Sequence, residues 1–284
     1  MHTERIKYIT AVMLYGTVGV LLRLVSLPVE LVAMCRGIFG SVFILCFMRA
    51  KNMRFDREGI RRNLVWLLLS GVFLGLNWIF LFAAYVNTSV AIASLCNYTA
   101  PVIVVLVAPF VLKERTSPKK LFFLFTAFAG VVLVSGVLSG ERGSLPGVIQ
   151  GMLAALGFVG VVICNRKMKD VSVYDKALIQ LSVSALTILP YFLVHNRGIT
   201  LQATPLSVAI ILMTGFLHTG FAYCLYFDGL AKLPVQEVAI LGYLEPIVSI
   251  FCSWIFLKEV LSLSGWIGAA LVITSSALCE LIRE

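Results

Sequence analysis

The stretch Asn97-Tyr98-Thr99-Ala100-Pro101, followed by an apolar run and then by Leu112-Lys113-Glu114, decides the fold of this chain. A second copy, Gly242-Tyr243-Leu244-Glu245-Pro246, precedes another apolar run and Leu257-Lys258-Glu259, each matched position lying 145 residues further on. Proline interrupts a helix because it lacks an N–H group and its ring collides with the preceding turn. A proline at the same place in two long apolar segments indicates a broken helix in each half of a duplicated membrane protein.

The composition identifies the class of protein. Of the 284 residues, 60% are hydrophobic and 13% are charged, whereas soluble domains are about half apolar and about a quarter charged. A soluble core cannot hide so much apolar surface, so we expect a multi-pass membrane protein. The net charge of +9 does not indicate nucleic-acid binding, because the basic residues lie in particular loops. The seven cysteines and three histidines have no metal-ligand spacing, so no metal or cofactor is predicted.

The apolar pattern predicts an all-α membrane protein with ten transmembrane helices, each about 20 mostly apolar residues long. They cover residues 6–25, 30–48, 63–85, 88–111, 119–139, 146–165, 175–194, 205–227, 235–257 and 263–282. We expect Pro101 and Pro246 to kink the fourth and ninth helices near mid-membrane.

The distribution of Lys and Arg predicts the orientation in the membrane. Eighteen of the 23 fall on the side of the N-terminus, four fall on the opposite side, and Arg36 lies within a span. This places both termini in the cytoplasm, with the chain in the cytoplasmic (inner) membrane. Residues 1–140 (helices 1–5) and 141–284 (helices 6–10) are the two copies, and because five is odd the second is inverted. Inverted repeats are a recurrent design of secondary transporters.

The repeated stretches resemble a family signature. Tyr98-Thr99-Ala100-Pro101 through Leu112-Lys113-Glu114-Arg115, and Gly242-Tyr243-Leu244-Glu245-Pro246 through Phe256-Leu257-Lys258-Glu259, are similar to the motif of EamA-type members of the drug/metabolite transporter superfamily. The resemblance covers essentially the whole chain. It implies a ten-helix inverted fold around a central cavity, lined mainly by helices 1–4 and 6–9. It also implies transport of small metabolites, among them amino acids, nucleobases or nucleosides, and cationic amines; export is common in the family but not universal.

Glu245 is the candidate for proton coupling. An ionisable side chain near mid-membrane is costly unless it is paired or hydrated. Either Glu245 faces the cavity and binds a proton or a cation, or it is a hydrogen-bonded structural residue that supports the broken helix. The Glu-Pro pair is common at this place in the resembling family whatever the substrate, which favours the structural interpretation.

Asn77 and Trp78 lie near the middle of the third helix, and Phe82 and Tyr85 follow Trp78 on the same face. Such an aromatic face can line a cavity that stacks planar ligands or attracts cations. The alternative is helix packing, with Tyr85 as an interface anchor. We retain Asn77, Trp78 and Phe82 as substrate-binding candidates.

Five further polar or aromatic residues are substrate-binding candidates. Asn97 and Tyr98 precede the first break and Tyr243 is the repeat partner of Tyr98, so they can form a binding floor or repair the kink through hydrogen bonds. His218 is a mid-span histidine with Tyr223 nearby. It either packs in a satisfied environment or contacts substrate as a pH-sensitive group.

Charged residues near the span ends have less specific interpretations. Arg36 is two turns deep, so it either snorkels to the interface or pairs with Glu30 or a substrate carboxylate. Asp228, Lys232 and Glu237 are expected to be solvated boundary charges or a gate pair. The Lys-Glu pairs that end helices 4 and 9 are expected to be terminal anchors or gate contacts.

Together these features favour a transporter that moves a small polar metabolite by alternating access, with proton coupling left open. The expected partners are a small-molecule substrate, the lipid bilayer and, if coupled, protons, with no nucleic acid; the protein is a monomer or a homodimer. A membrane-embedded enzyme and a non-transporting sensor are the alternatives. The chain shows no catalytic motif, large loop domain or appended soluble domain, so we do not expect an enzyme.

Overall fold

The computed structural model describes residues 2–111, 118–135, 145–197, 201–230, 232–233 and 235–281, and every regular element within them is helical. In chain order these are α1 (His2–Arg23), α2 (Val29–Ala50), α3 (Arg57–Asn87), α4 (Val90–Asn97), α5 (Ala100–Val111), α6 (Pro118–Val134), α7 (Leu145–Lys167), α8 (Val173–His195), α9 (Pro205–Gly215), α10 (Ala222–Leu230), α11 (Val235–Gly242), α12 (Leu244–Leu257) and α13 (Leu263–Leu281). A π-helical turn, Phe216–Phe221, joins α9 to α10.

Seven helical runs in the described part of the chain are long and apolar enough to cross a membrane. Large apolar side chains also face outward, including Phe110, Val260 and Leu263 with exposed fractions of 87%, 77% and 80%. So much outward apolar surface suits a lipid environment. The all-helical, multi-pass class is confirmed. The count of ten spans stays a prediction, because the apolar helices 121–134, 244–257 and 263–279 are shorter.

Both helix breaks occur where the sequence predicts them, at two repeat-related tyrosines. Tyr98 lies between α4 and α5, with φ −73° and ψ 0°, and Tyr243 lies between α11 and α12, with φ −72° and ψ −4°. A proline follows each tyrosine three residues later. Its missing N–H removes the helical hydrogen bond to the carbonyl four residues earlier, at Asn97 or Gly242. The ladder is therefore interrupted at the same position in each half.

Two helices differ from the predicted segments for identifiable reasons. The third segment starts at Arg57 rather than 63, because the Asp56 carboxylate accepts a hydrogen bond from the Gly59 N–H at 2.9 Å and caps the helix. The segment predicted at 205–227 is not one regular helix, because its ladder widens to a π turn at Phe216–Phe221.

Glycines bring helices from the two halves into backbone contact. A Cβ on Gly16 of α1 would lie 2.7 Å from the Glu245 carbonyl oxygen, and a Cβ on Gly157 of α7 would lie 2.9 Å from the Asn77 nitrogen. In α6, a Cβ on Gly130 would lie 2.8 Å from the carbonyl oxygen of Gly268 in α13. Small residues permit this approach, as in many membrane helix pairs. It places Glu245 against α1 and Asn77 against α7.

The first turns of α1 are tied to the segment around α10 and α11 by ion pairs. Arg5 pairs with Glu237. Lys7 Nζ lies 3.1 Å from Asp228, and Lys232 Nζ lies 3.1 Å from Glu4. The boundary charges predicted at Asp228, Lys232 and Glu237 therefore contact the start of α1.

The other end of α1 is tied to α4 and α12 through Glu259. The Glu259 carboxylate lies 3.1 Å from Arg23 and accepts a hydrogen bond from the Val90 N–H at 2.8 Å, at the start of α4. An acidic group at a helix N-terminus is favourable. Lys113 and Glu114, the matching pair in the first half, lie outside the described residues.

Candidate functional site

A cavity of about 260 Å³ lies between the helices of the two halves. Side chains from α1, α2, α3, α4, α7, α8, α10 and α12 line it. Six of the candidate residues are among them: Asn77, Trp78, Phe82, Asn97, Tyr223 and Glu245. The sequence candidates from separate segments thus meet at one place.

Aromatic rings form much of the cavity wall. Trp78 and Phe82, one helical turn apart on α3, are stacked with ring centroids 6.4 Å apart and an interplanar angle of 13°. Tyr15 meets Tyr223 edge to face at 5.7 Å. Offset-stacked and edge-to-face pairs are the favourable aromatic geometries. The wall is thus a packed aromatic surface.

Arg36 lines the same cavity, and the snorkelling interpretation of this residue is wrong. Its side chain is buried, with its guanidinium carbon 4.8 Å from the Trp78 ring centroid and 5.9 Å from that of Phe82. Its Nε donates a hydrogen bond to the Thr219 hydroxyl at 2.6 Å. Depth counted along α2 suggested access to the interface, but cation–π attraction and this hydrogen bond hold the charge inside.

The π turn determines how Thr219 and His218 are presented. The Thr219 hydroxyl donates to the Thr214 carbonyl at 2.9 Å, and His218 Nδ1 lies 3.2 Å from the Met213 carbonyl oxygen, five residues back in each case. His218 Nε2 lies 3.0 Å from the Thr17 hydroxyl. Both ring nitrogens therefore have partners. His218 is not among the residues that line the described cavities, and its substrate role stays a prediction.

Two asparagines connect the third and fourth predicted spans. Asn77 Nδ2 donates to Asn97 Oδ1 at 2.9 Å and to the Ala154 carbonyl oxygen of α7 at 2.8 Å. Asn77 is 3% exposed, so these bonds satisfy a buried amide. They hold the last residue of α4 against α3 and α7, directly beside the helix break.

A second cavity of about 250 Å³ adjoins the first and contains the broken-helix tyrosines. Tyr98 and Tyr243 both line it, with ring centroids 6.1 Å apart. Asn97 and Glu245 line both cavities, and the Tyr98 hydroxyl lies beside the Glu245 carboxyl group. Glu245 therefore lies at the junction of the two cavities, where the helix breaks of both halves meet.

Comparison with known proteins identifies the family. The sequence profile of the EamA-like transporter family matches residues 6–136 and again residues 145–280. The chain belongs to the EamA-like transporter family.

Relatives of this EamA-like protein carry transporter names. It is 25% identical over 288 residues to the uncharacterized transporter YxxF of Bacillus subtilis, covering 99% of this chain and 91% of the relative. It is 29% identical over 196 residues to the aromatic amino acid exporter YddG of Salmonella typhimurium, covering 65% of each. A solved crystal structure matches 97% of this chain and 96% of its own, with a TM-score of 0.66 and 18% identity, and shares the fold.

Three further residues of the EamA-like protein line the larger cavity although the sequence motifs do not identify them: Gln180, Asn165 and Tyr15. Gln180 of α8 donates to Asn165 Oδ1 at 2.7 Å and to the Ser70 hydroxyl at 2.8 Å, and both Gln180 and Asn165 line the larger cavity. Gln180 and Asn165 could have been found from the sequence, because both are polar side chains within apolar spans. Tyr15 of α1, which no sequence motif singles out, lines this cavity as well. Over the described ranges, no cluster of three His, Cys, Asp or Glu side chains could hold a metal ion.

Proposed function

We propose that this EamA-like protein moves a small polar metabolite across the cytoplasmic membrane by alternating access. The observation that carries the proposal is the cavity between the two halves, lined by Asn97 and Glu245 beside the two helix breaks. A midplane site between repeats, beside discontinuous helices, is the arrangement from which secondary transporters work. The substrate classes are amino acids, nucleobases or nucleosides, and cationic amines. The name of the YddG relative, an aromatic amino acid exporter, supports the first class and export.

Residues 1–140 and 141–284 are the two inverted repeats in this proposal. Reciprocal glycine contacts support it. A Cβ on Gly40 of α2 would lie 2.6 Å from Thr219 in the eighth predicted span, and one on Gly75 of α3 would lie 2.8 Å from Thr187 in the seventh. The second contact is the repeat image of the first, because the second span corresponds to the seventh and the third to the eighth. Such reciprocity is expected of two copies related by a pseudo-twofold axis.

The proposed orientation keeps both termini in the cytoplasm. The connection after the second predicted span contacts the connection after the sixth span and the start of the seventh, as the assignment to one side requires. The Asp56 N–H donates to the Asp175 carboxylate at 2.9 Å, and Arg62 lies 3.7 Å from Asp170. The excess of Lys and Arg on this side then makes it cytoplasmic.

Glu245 is the proposed proton site. A carboxyl group inside the cavity can take up a proton from one compartment and release it to the other. Its ionisable neighbours in the larger cavity are Arg36 and the tyrosines Tyr15, Tyr85, Tyr223 and Tyr226. In the adjoining cavity they are the tyrosines Tyr8, Tyr98, Tyr226 and Tyr243. Among the described residues that line the two cavities, Glu245 is the one with a carboxyl group, and it lines both of them. This position supports its assignment as the proton site.

The proposed substrate contacts are Asn77, Trp78, Phe82, Asn97, Tyr98, His218, Tyr223 and Tyr243. Seven of these line one or both of the cavities, whereas His218 lies beside them in the π turn, hydrogen-bonded to Thr17. Catalysis is not part of the proposal, since the named relatives are transporters.

Counterflow in proteoliposomes tests the proposal. Vesicles containing purified protein are preloaded with unlabelled amino acids, nucleosides or quaternary amines, and uptake of the same labelled compound is followed. We expect transient accumulation for one class only. Trp78→Ala should weaken it while Trp254→Ala, at an outward half-exposed position, leaves it unchanged. No accumulation with any class would contradict the proposal.

A further inference from the structure

Among the residues that the structure describes, Arg36 has no carboxylate at ion-pair distance, although its charge acts on Glu245 in the same cavity. The side chain is 7% exposed and lines the larger cavity, yet no described Asp or Glu lies within the 4.0 Å of an ion pair. A buried charge is costly unless it is paired. The faces of Trp78 and Phe82 offset part of this cost, but they supply no hydrogen-bond acceptor in the plane of the guanidinium.

The guanidinium is also held in one orientation. Its Nε donates to Thr219, and the single hydroxyl proton of Thr219 is used in the bond to the Thr214 carbonyl. The threonine oxygen therefore acts as an acceptor toward Arg36. Gly40, one turn after Arg36, lets α2 approach Thr219 closely enough for this contact. Among the described residues, the guanidinium makes one hydrogen bond, through Nε. The two Nη groups are therefore the donors available to a ligand.

We propose that the Nη groups of Arg36 bind the carboxylate of the substrate, so that the transported metabolites are small carboxylic acids. Two parallel N–H groups match the two oxygens of a carboxylate. The apolar or planar part of the acid would then contact Trp78 and Phe82. A phosphate dianion fits less well, because Glu245 contributes an acidic group to the same cavity. This proposal rests on the proposed function, whose substrate class it narrows.

Binding to the purified protein in detergent tests the proposal without any transport step. Ligands are compared as matched pairs of an acid and its primary amide: L-phenylalanine and L-phenylalaninamide, L-leucine and L-leucinamide, benzoate and benzamide, succinate and succinamide. Phenyl phosphate is the phosphate probe, and affinity is read from the ligand-dependent rise in melting temperature. We expect one or more acids to bind about tenfold to a hundredfold more tightly than their amides, as for hydrogen bonds to a charged group.

Variants then assign the preference to this site. Arg36→Gln should lower the affinity for the acid to that for its amide, while Arg62→Gln, which removes an exposed charge paired with Asp170, keeps the ratio. Thr219→Val removes only the orienting hydroxyl and should weaken acid binding several-fold, about the effect of one hydrogen bond, with amide binding unchanged. If Arg36→Gln does not fold, the Thr219→Val ratio and the wild-type pairs still decide.

The proposal is wrong if no acid binds more tightly than its amide, if phenyl phosphate binds more tightly than every carboxylate, or if Arg36→Gln keeps the acid preference. These failures are separable from failure of the transport function. Acid-selective binding without counterflow would overturn the transport proposal and keep the Arg36 subsite. Counterflow of a substrate without a carboxylate would support the transport proposal and overturn the Arg36 subsite.

Discussion

At the scale of single residues, Glu245 combines two properties that rarely occur together. It is an acidic side chain inside an apolar protein, and it lines both cavities beside the hydroxyl of Tyr98. A structural carboxyl needs only stable hydrogen-bond partners, whereas a proton carrier needs access to both compartments. The Tyr98 hydroxyl supplies a partner of the first kind, and the proposed proton transfer needs access to both compartments as well.

The variant Glu245→Gln keeps the shape of the side chain and removes its exchangeable proton. We expect the pH gradient to lose its effect on uptake into liposomes, while counterflow, which needs no net proton movement, is partly retained. The control is Glu58→Gln, an exposed acid in the first turn of α3. Unchanged gradient dependence in Glu245→Gln would remove this residue from the coupling role.

At the residue level, the sequence points to the cavity where a side chain has an unusual chemical type for its surroundings, although the roles predicted for these residues remain predictions. Asn77, Asn97 and Glu245 are polar groups in apolar spans, and the structure brings all three to the cavity. Arg36 was misplaced because its depth was counted along its own helix. Its partners, Trp78 and Thr219, lie on other helices, and spacing along α2 contains no information about them.

At the scale of helices, prolines that break a helix are distinguished from prolines that a helix tolerates. Pro246 lies just after the break at Tyr243, whereas α8 continues through Pro190, which is exposed. The first changes the path of the chain, and the second only removes a hydrogen bond.

The paired variants Pro246→Ala and Pro190→Ala test this distinction. In Pro246→Ala the new N–H can bond to Gly242, so we expect the break to close partly and counterflow to slow without loss of thermal stability. Pro190→Ala should leave counterflow intact and raise the stability of α8, by up to about 3 kcal/mol. Both quantities are measured by uptake rate and by melting temperature. Equal uptake by the two variants would show that the break is not needed.

Helix contacts through glycine predict a second pair of variants. Gly157→Ala places a Cβ 2.9 Å from the backbone nitrogen of Asn77, so α7 and α3 must separate. We expect a loss of about 1–3 kcal/mol of stability, as for an overpacked core. Gly265→Ala is the control, since its nearest neighbour is a side-chain carbon of Leu261 at 3.2 Å. Thermal unfolding in detergent measures both, and similar melting temperatures would contradict the close-packing account.

At the scale of the whole molecule, the proposal is that the two halves, 1–140 and 141–284, are inverted relative to each other in the membrane. Epitope tags placed at the N-terminus and between Glu141 and Pro146 should therefore be accessible from opposite faces of intact vesicles. A tag in the 51–56 loop, expected on the N-terminal side, is the positive control. Accessibility of all three tags from one face would contradict the inverted arrangement.

The ion pairs at the two ends of α1 predict a charge-swap result for the molecule as a whole. Arg5→Glu and Glu237→Arg should each alter the counterflow rate, because each opposes the pairing of α1 with α11. The double variant should recover it. The effect on melting temperature should be small, since exposed ion pairs contribute about 0–1 kcal/mol. Failure of the double variant to recover would exclude a gating role for this pair.

The sequence predicts the helix breaks because the motif that contains them occurs twice in the chain. The duplicated proline alone predicts a helix break beside Tyr98 and another beside Tyr243. In the structure the rings of these two tyrosines lie next to each other. The π turn at Phe216–Phe221 could not be predicted, because its contacts with Thr17, Arg36 and Gly40 come from other helices and leave no pattern in the sequence of the turn itself. Span number also remains open at α6, α12 and α13, where apolar length falls short.

The π turn has a consequence for every residue that follows it in the segment. A wider turn accommodates an extra residue, and each residue advances an α-helix by about 100°. If the same residues between Phe216 and Phe221 wound as a regular α-helix, every residue after them would turn by about 100°, and Tyr223, Tyr226 and Phe227 would be out of phase with the cavity. The angular setting of that aromatic wall is encoded upstream of the rings themselves, in a local irregularity of winding.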